Sequence, residues 1–249
     1  MIGFSWTTLA SAALVVCFAY TVFGLTGFGA SIVAIPLLVH FFSLRFAVPL
    51  MLVFDLSASL LLGLRNRRHL SRAELLRLLP FMAVGMIAGV TLLVQVPERW
   101  LLLCLGLFIA SYALWSLFGR PREAPASPRW AAPAGLVGGA FTALYGTGGP
   151  IYTIYLARRL PDKNVLRATI GIVVFCSALI RLVLFSSSGL YAQTGLLKLA
   201  AVLLPCAVAG YLIGSVLHAR LPTRQALRAV WGLLIVSGAA LVLRALSMP

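Results

Sequence analysis

The sequence predicts an all-α polytopic membrane protein of two inverted-topology repeats. Each repeat has about five helical segments, with broken or re-entrant helices at glycine-rich motifs. Three observations carry this expectation. The 249 residues are 61% hydrophobic and only 10% charged, whereas a soluble domain carries roughly 25% charged residues. Apolar stretches recur along nearly the whole chain at close to the ~20 residues that a spanning helix needs. Features of the first part also reappear in the second at fixed offsets.

Apolar runs and their breakers place helices near 2–23, 28–42, 47–64, 78–95 and 99–118, then near 131–145, 149–157, 165–187, 197–217 and 226–246. The first segment has no basic leader and no small-residue cleavage site before a polar mature chain, so it reads as a retained helix. A proline-rich stretch from Arg120 to Pro133 is the one linker. The expected division is an N-terminal membrane repeat (1–120), a cytoplasmic connector (121–130) and a C-terminal membrane repeat (131–249).

Pro80, Gly85, Gly89, Pro97 and Arg99 recur 125 positions later as Pro205, Gly210, Gly214, Pro222 and Arg224. Gly27 and Gly29 recur 119 positions later as Gly146 and Gly148. Loop charge then orients the halves, because Lys and Arg of short loops stay on the cytoplasmic side. The loop after the third helix carries Arg65, Arg67, Arg68, Arg72 and Arg77, whereas its counterpart carries Lys198 alone. One loop later the imbalance reverses, with Arg99 set against Arg220, Arg224 and Arg228. Corresponding loops are therefore expected on opposite faces, as an inverted repeat with an odd number of crossings per half requires. With loops 65–77, 119–130, 157–167 and 218–228 inside, fifteen of the twenty basic residues are cytoplasmic, four are outside and Arg181 lies within the membrane. Both termini then fall outside. Charge counting does not decide whether the first two segments of each half span or form a re-entrant hairpin.

This distribution accounts for the net charge of +15 without nucleic acid, for which no loop is long enough. Cys17, Cys104, Cys176 and Cys206 sit singly in apolar segments, which suits buried small side chains better than metal or disulfide chemistry. His40, His69 and His218 lack acidic or cysteine neighbours at ligand spacing. Neither a Gly-x-Ser-x-Gly nucleophile motif nor a dinucleotide-binding glycine pattern in a strand-turn-helix setting occurs. No cofactor, metal or catalytic residue is expected, and the protein does not read as an enzyme.

The chemistry-bearing features are two glycine-rich breaks, Gly24-Leu-Thr-Gly-Phe-Gly-Ala-Ser31 and Tyr145-Gly-Thr-Gly-Gly-Pro150. Irregular backbone at membrane depth is tolerated where it is buried in protein or lines a polar cavity. Each break is expected to open a short half-helix, and Pro150 suits a first turn. Free N–H groups and the positive dipole end favour an anion there. The candidate binding residues are Thr26, Gly27, Gly29 and Ser31 in the first break, and Gly146, Thr147, Gly148, Gly149 and Pro150 in the second. Two opposed half-helices would form one central anion site. The alternative is that these glycines only allow close helix packing, the role preferred for Gly85, Gly89, Gly210 and Gly214. Asp55, in the middle of the third helix, is the candidate ion-coupling group, or else half of a buried pair with Arg181. Arg181 itself either faces the anion or snorkels to the interface. Thr169 is a further candidate ligand, with local backbone hydrogen bonding as its alternative.

The residues Gly27-Phe-Gly-Ala-Ser-Ile-Val-Ala-Ile-Pro36 with Leu37, Gly146-Thr-Gly-Gly-Pro150, Ala168-Thr169 and the glycine-rich fourth helices before Pro97 and Pro222 resemble the TauE/SafE (sulfite exporter) family of membrane permeases. The resemblance covers essentially the whole chain, with Ala30 where the family motif more often has glycine. It implies movement of small sulfur-containing or carboxylate anions, such as sulfite or sulfonates, across the bacterial inner membrane. The expected function is an anion transporter working by alternating access, with a small anionic substrate and the lipid bilayer as partners. An anion channel and a non-transporting accessory subunit are the alternatives. Substrate, direction and oligomeric state, a homodimer included, are left open.

Overall fold

A computed structural model describes residues 5–26, 29–63, 70–118, 125–220 and 223–248, with backbone alone at 26, 58–63, 163, 218–220 and 223–229. Every regular element among the described residues is helical: α1 Trp6–Thr26, α2 Ala30–Leu38, α3 Leu44–Gly63, α4 Arg72–Gln95, α5 Glu98–Phe118, α6 Ala131–Tyr145, α7 Gly149–Ala157, α8 Lys163–Ser187, α9 Leu196–Arg220 and α10 Thr223–Ser247, with 3₁₀ turns at Pro128–Trp130 and Leu190–Ala192. Six of these (α1, α4, α5, α8, α9 and α10) are long and apolar enough to cross a bilayer. At nine residues, α2 and α7 reach only about 14 Å each, less than half the hydrocarbon thickness.

The elements follow the sequence expectation in number and order, and their boundaries differ where polarity and helicity part company. The helix α1 runs through Gly24 and Leu25 to Thr26, so the first break is narrower than its glycine content suggests. Six residues earlier than the apolar run, α4 begins at Arg72, because Arg-Ala-Glu-Leu-Leu-Arg is polar yet made of good helix formers. The offset of 119 that relates the breaks also relates α2 to α7 end to end, and α3 to α8 at their first residues. Residues 119–124 and 221–222 of the expected connector and repeat lie outside the described residues.

The chain forms two compact units that each draw on both halves of the sequence. One is 1–51, 96–120 and 193–249; the other is 52–95 and 121–192. In the first unit α1 packs along α9 and α5 along α10. A Cβ at Gly24 would lie 2.5 Å from the Tyr211 carbonyl oxygen, and one at Gly210 would overlap the Cys17 carbonyl. Glu98 Oε1 accepts the Leu44 N–H at 2.7 Å, capping α3. Arg244 donates to the Val39 carbonyl oxygen beside His40. Burial and the Arg244 charge lower the pKa of that histidine.

In the second unit α4 packs along α6 with the same device: a Cβ at Gly85 would overlap the Leu136 carbonyl, and one at Gly89 would lie 2.6 Å from the Ala140 oxygen. The fourth helix of each half thus packs on the first helix of the other through equivalent glycines. Small residues let the backbones approach closely where lipid supplies no hydrophobic drive. Gly85→Ala and Gly210→Ala are each expected to lower stability by about 1–3 kcal/mol through overpacking. Gly232→Ala, which meets nothing within 4 Å, should leave the thermal melt of the detergent-purified protein unchanged or raised.

Candidate functional site

In the second unit, α6 ends at Gly146, whose φ of 66° places it in the left-handed region that glycine adopts without a Cβ penalty. Its N–H donates to the Thr142 carbonyl at 2.8 Å. The chain turns through Thr147 and enters α7 with Gly148 as N-cap and Pro150 in the first turn. Gly148 packs against the Thr142 side chain and the Gly138 carbonyl, leaving no room for a Cβ. A Cβ at Gly149 would meet nothing within 4 Å, so this glycine, unlike Gly148, is not required by packing.

Thr142 organises this turn. Its hydroxyl donates to the Gly138 carbonyl at 2.6 Å and lies 2.9 Å from the Tyr152 hydroxyl, fixing the first turn of α7 to the last turns of α6. Its carbonyl also accepts from Arg181 Nη1 at 3.4 Å. Arg181 comes from α8, is 2% exposed, and reaches Asp55 Oδ2 of α3 through Nη2 at 3.4 Å. Two buried polar atoms have no partner among the described residues: Thr147 Oγ1 and Arg181 Nε. Orphaned buried donors are uncommon and costly, and at a ligand site they mark groups awaiting a partner.

The candidate residues therefore separate. Thr147, Gly148, Gly149, Pro150, Arg181 and Asp55 all belong to the second unit, and Asp55 pairs with Arg181 as one reading of the sequence anticipated. Thr169 is committed to backbone, since its hydroxyl donates to Val165 at 2.7 Å and accepts from the Ser71 N–H at 3.2 Å. In the first unit, Gly29 is the N-cap of α2 at φ 91°, and Ser31 in the first turn is 3% exposed. Gly27 and the side chain of Thr26 lie outside the described residues.

Sequence reasoning passed over two features. The Thr142–Tyr152 pair left no signal, because an isolated threonine and tyrosine in apolar helices look like any others. Glu74 is one of only five acidic residues, and its spacing to Arg77 forms an (i, i+3) ion pair that could have been read. In the structure it is a buried node: Oε1 accepts from Arg159 Nη2 at 2.7 Å, Arg159 Nε at 3.1 Å and Arg77 Nη1 at 2.8 Å, while Oε2 accepts from the Tyr155 hydroxyl at 2.6 Å. Arg159 also donates to the Ala126 carbonyl at 3.1 Å, and the Ala126 N–H donates to the Arg158 carbonyl. The node ties the start of α4 and the end of the connector to the foot of α7.

Among the described residues, six helices long and apolar enough to cross a bilayer and two half-length helices beside glycine breaks are the build of a multi-pass membrane protein. Residues 12–241 match the family model described as sulfite exporter TauE/SafE, and the chain belongs to that family. It is 33% identical over 194 residues to a probable inner membrane transporter protein, TsaS, of Comamonas testosteroni, an alignment covering 77% of this chain and 81% of that protein. No solved structure matches. The protein is accordingly a multi-pass inner-membrane transporter and not an enzyme.

Proposed function

We propose that the protein moves small anions, sulfite or related sulfur-containing anions, across the inner membrane by alternating access. The substrate binds at the α7 N-terminus beside Arg181, and Asp55 serves as the proton-coupling group. One observation carries the reading. Arg181 is a buried guanidinium with an unpartnered Nε, hydrogen-bonded to the Thr142 carbonyl, whose own side chain seats the Gly148 turn. A guanidinium and free helix N-terminal N–H groups favour an oxyanion, and the orphaned Thr147 hydroxyl can donate to one. The start of α2, with Gly29 and Ser31, supplies a second anion-favouring end of the same kind. The family description supports the choice of a sulfur oxyanion.

The test is thermal stabilisation of purified protein by a panel of sulfite, sulfate, methanesulfonate and acetate, because a ligand stabilises the state that binds it. At least one sulfur oxyanion is expected to raise the melting temperature, and Thr147→Val should weaken its binding by about fivefold or more through loss of one hydrogen bond. Counter-substrate exchange in proteoliposomes should accompany binding. Absence of any anion effect on folded protein would sink the reading.

A further inference from the structure

Arg181 carries five N–H donors but makes two hydrogen bonds, both at 3.4 Å. That is beyond the 2.7–2.9 Å usual for a guanidinium on a carboxylate, as a rough scale. The same unit offers a direct comparison, since Arg159 holds Glu74 at 2.7 Å and 3.1 Å. The Arg181–Asp55 contact is thus a long one for a buried cation and a carboxylate, and the Asp55 side chain is 13% exposed against 2% for Arg181. A carboxylate is also the nearest chemical likeness among the side chains to a small oxyanion.

We propose that Asp55 is an exchangeable ligand of Arg181. The anionic group of the substrate replaces it on the guanidinium, and the released carboxylate takes one proton from solution onto its oxygen. This rests on the anion site proposed above and gives its coupling a mechanism. Before exchange the site holds Arg181 and ionised Asp55. Afterwards it holds Arg181, the anion and neutral Asp55. A monovalent anion therefore leaves the site neutral in both states, avoiding the large cost of an uncompensated buried charge. Among the described groups that face the pair are Thr142 of α6 and Tyr152 of α7, together with Tyr191 of the 3₁₀ turn at 190–192, and these three are uncharged near neutral pH. Charge is therefore exchanged between Asp55 and the substrate. A proton enters the site with each anion, and the empty carrier is self-neutralised.

Sulfate and methanesulfonate are suitable probes, because their charge is constant between about pH 5 and about pH 8, where a carboxylate can titrate. In weakly buffered solution the wild type should take up about one proton per methanesulfonate bound, with affinity rising as pH falls. Asp55→Asn should bind about tenfold more tightly, with no proton uptake, because the internal competitor is gone. Asp55→Ser tests the same point should the amide disturb folding, and Asp55→Glu should restore both competition and uptake. Binding without proton uptake in the wild type, or no tightening in either folded variant, would overturn the proposal. So would a failure of both probes to bind. In that last case, continued stabilisation of the wild type by sulfite confines the failure to this proposal, whereas no stabilisation by any anion removes the anion site as well.

Discussion

Gly148→Ala is expected to destabilise the protein by about 1–3 kcal/mol and to abolish anion binding, while Gly149→Ala should leave the melt intact and reduce binding alone. The adjacent glycines serve different ends. Gly148 has φ −70° and ψ −18°, a conformation open to any residue, so backbone strain plays no part and the cost is steric. Its Cβ would overlap the Thr142 hydroxyl and the Gly138 carbonyl and stand 3.0 Å from Thr142 Cβ. Thr142 cannot yield cheaply, because its hydroxyl is engaged by Gly138 and Tyr152 and its carbonyl by Arg181. The methyl group at Gly149 enters open space, where an anion at the α7 N-terminus would sit. Thermal melts with and without sulfite separate the two effects. A Gly149→Ala protein that kept the full ligand shift would place the anion elsewhere, and a Gly148→Ala protein with wild-type stability would mean the turn repacks.

Glu74→Ala should lower stability by about 2 kcal/mol. Removing one partner of a fully buried charge pair costs roughly 3–5 kcal/mol, and here Arg77 and Arg159 keep 46% and 22% of their side-chain exposure, so solvent screens part of the loss. The damage is not limited to one contact. Tyr155 loses its acceptor, and Arg159, which also holds the Ala126 carbonyl, loses its counter-charge. Glu74→Gln keeps an acceptor for the tyrosine and should cost less. In a double-mutant cycle, adding Arg159→Ala to Glu74→Ala should cost far less than it does alone, giving a coupling of about 1 kcal/mol or more. An additive cycle would reduce the node to independent surface contacts.

Much of the helical inventory was legible in the sequence. Its signals are strong because lipid permits few structures: apolar runs must be helices, and glycine-rich interruptions at membrane depth must be buried or line a cavity. The fixed offsets from Gly27 to Gly146 and from Gly85 to Gly210 reappear in the helix boundaries, since equivalent local sequence caps and breaks equivalent helices. Boundaries erred at Arg72, where a helix continues into polar chain and hydropathy reports the bilayer but not the helix. For the site, the break and its proline could be read from composition, and Asp55 and Arg181 stood out because intramembrane charge is scarce.

What the sequence determined by itself is the class of protein, the order of its helices, the position of the breaks and the short list of charged residues inside them, all consequences of local composition acting against a uniform apolar solvent. The tertiary structure decided which groups meet. Helices from opposite halves pair within each compact unit. Arg181 faces both Asp55 and the Thr142 carbonyl, the Thr169 hydroxyl is spent on backbone, and Glu74 becomes a buried node. The two Arg181 contacts join residues 39 and 126 positions apart. They depend on the rotation of each helix about its axis, which side-chain packing and hydrogen-bond satisfaction set jointly and no local sequence pattern encodes.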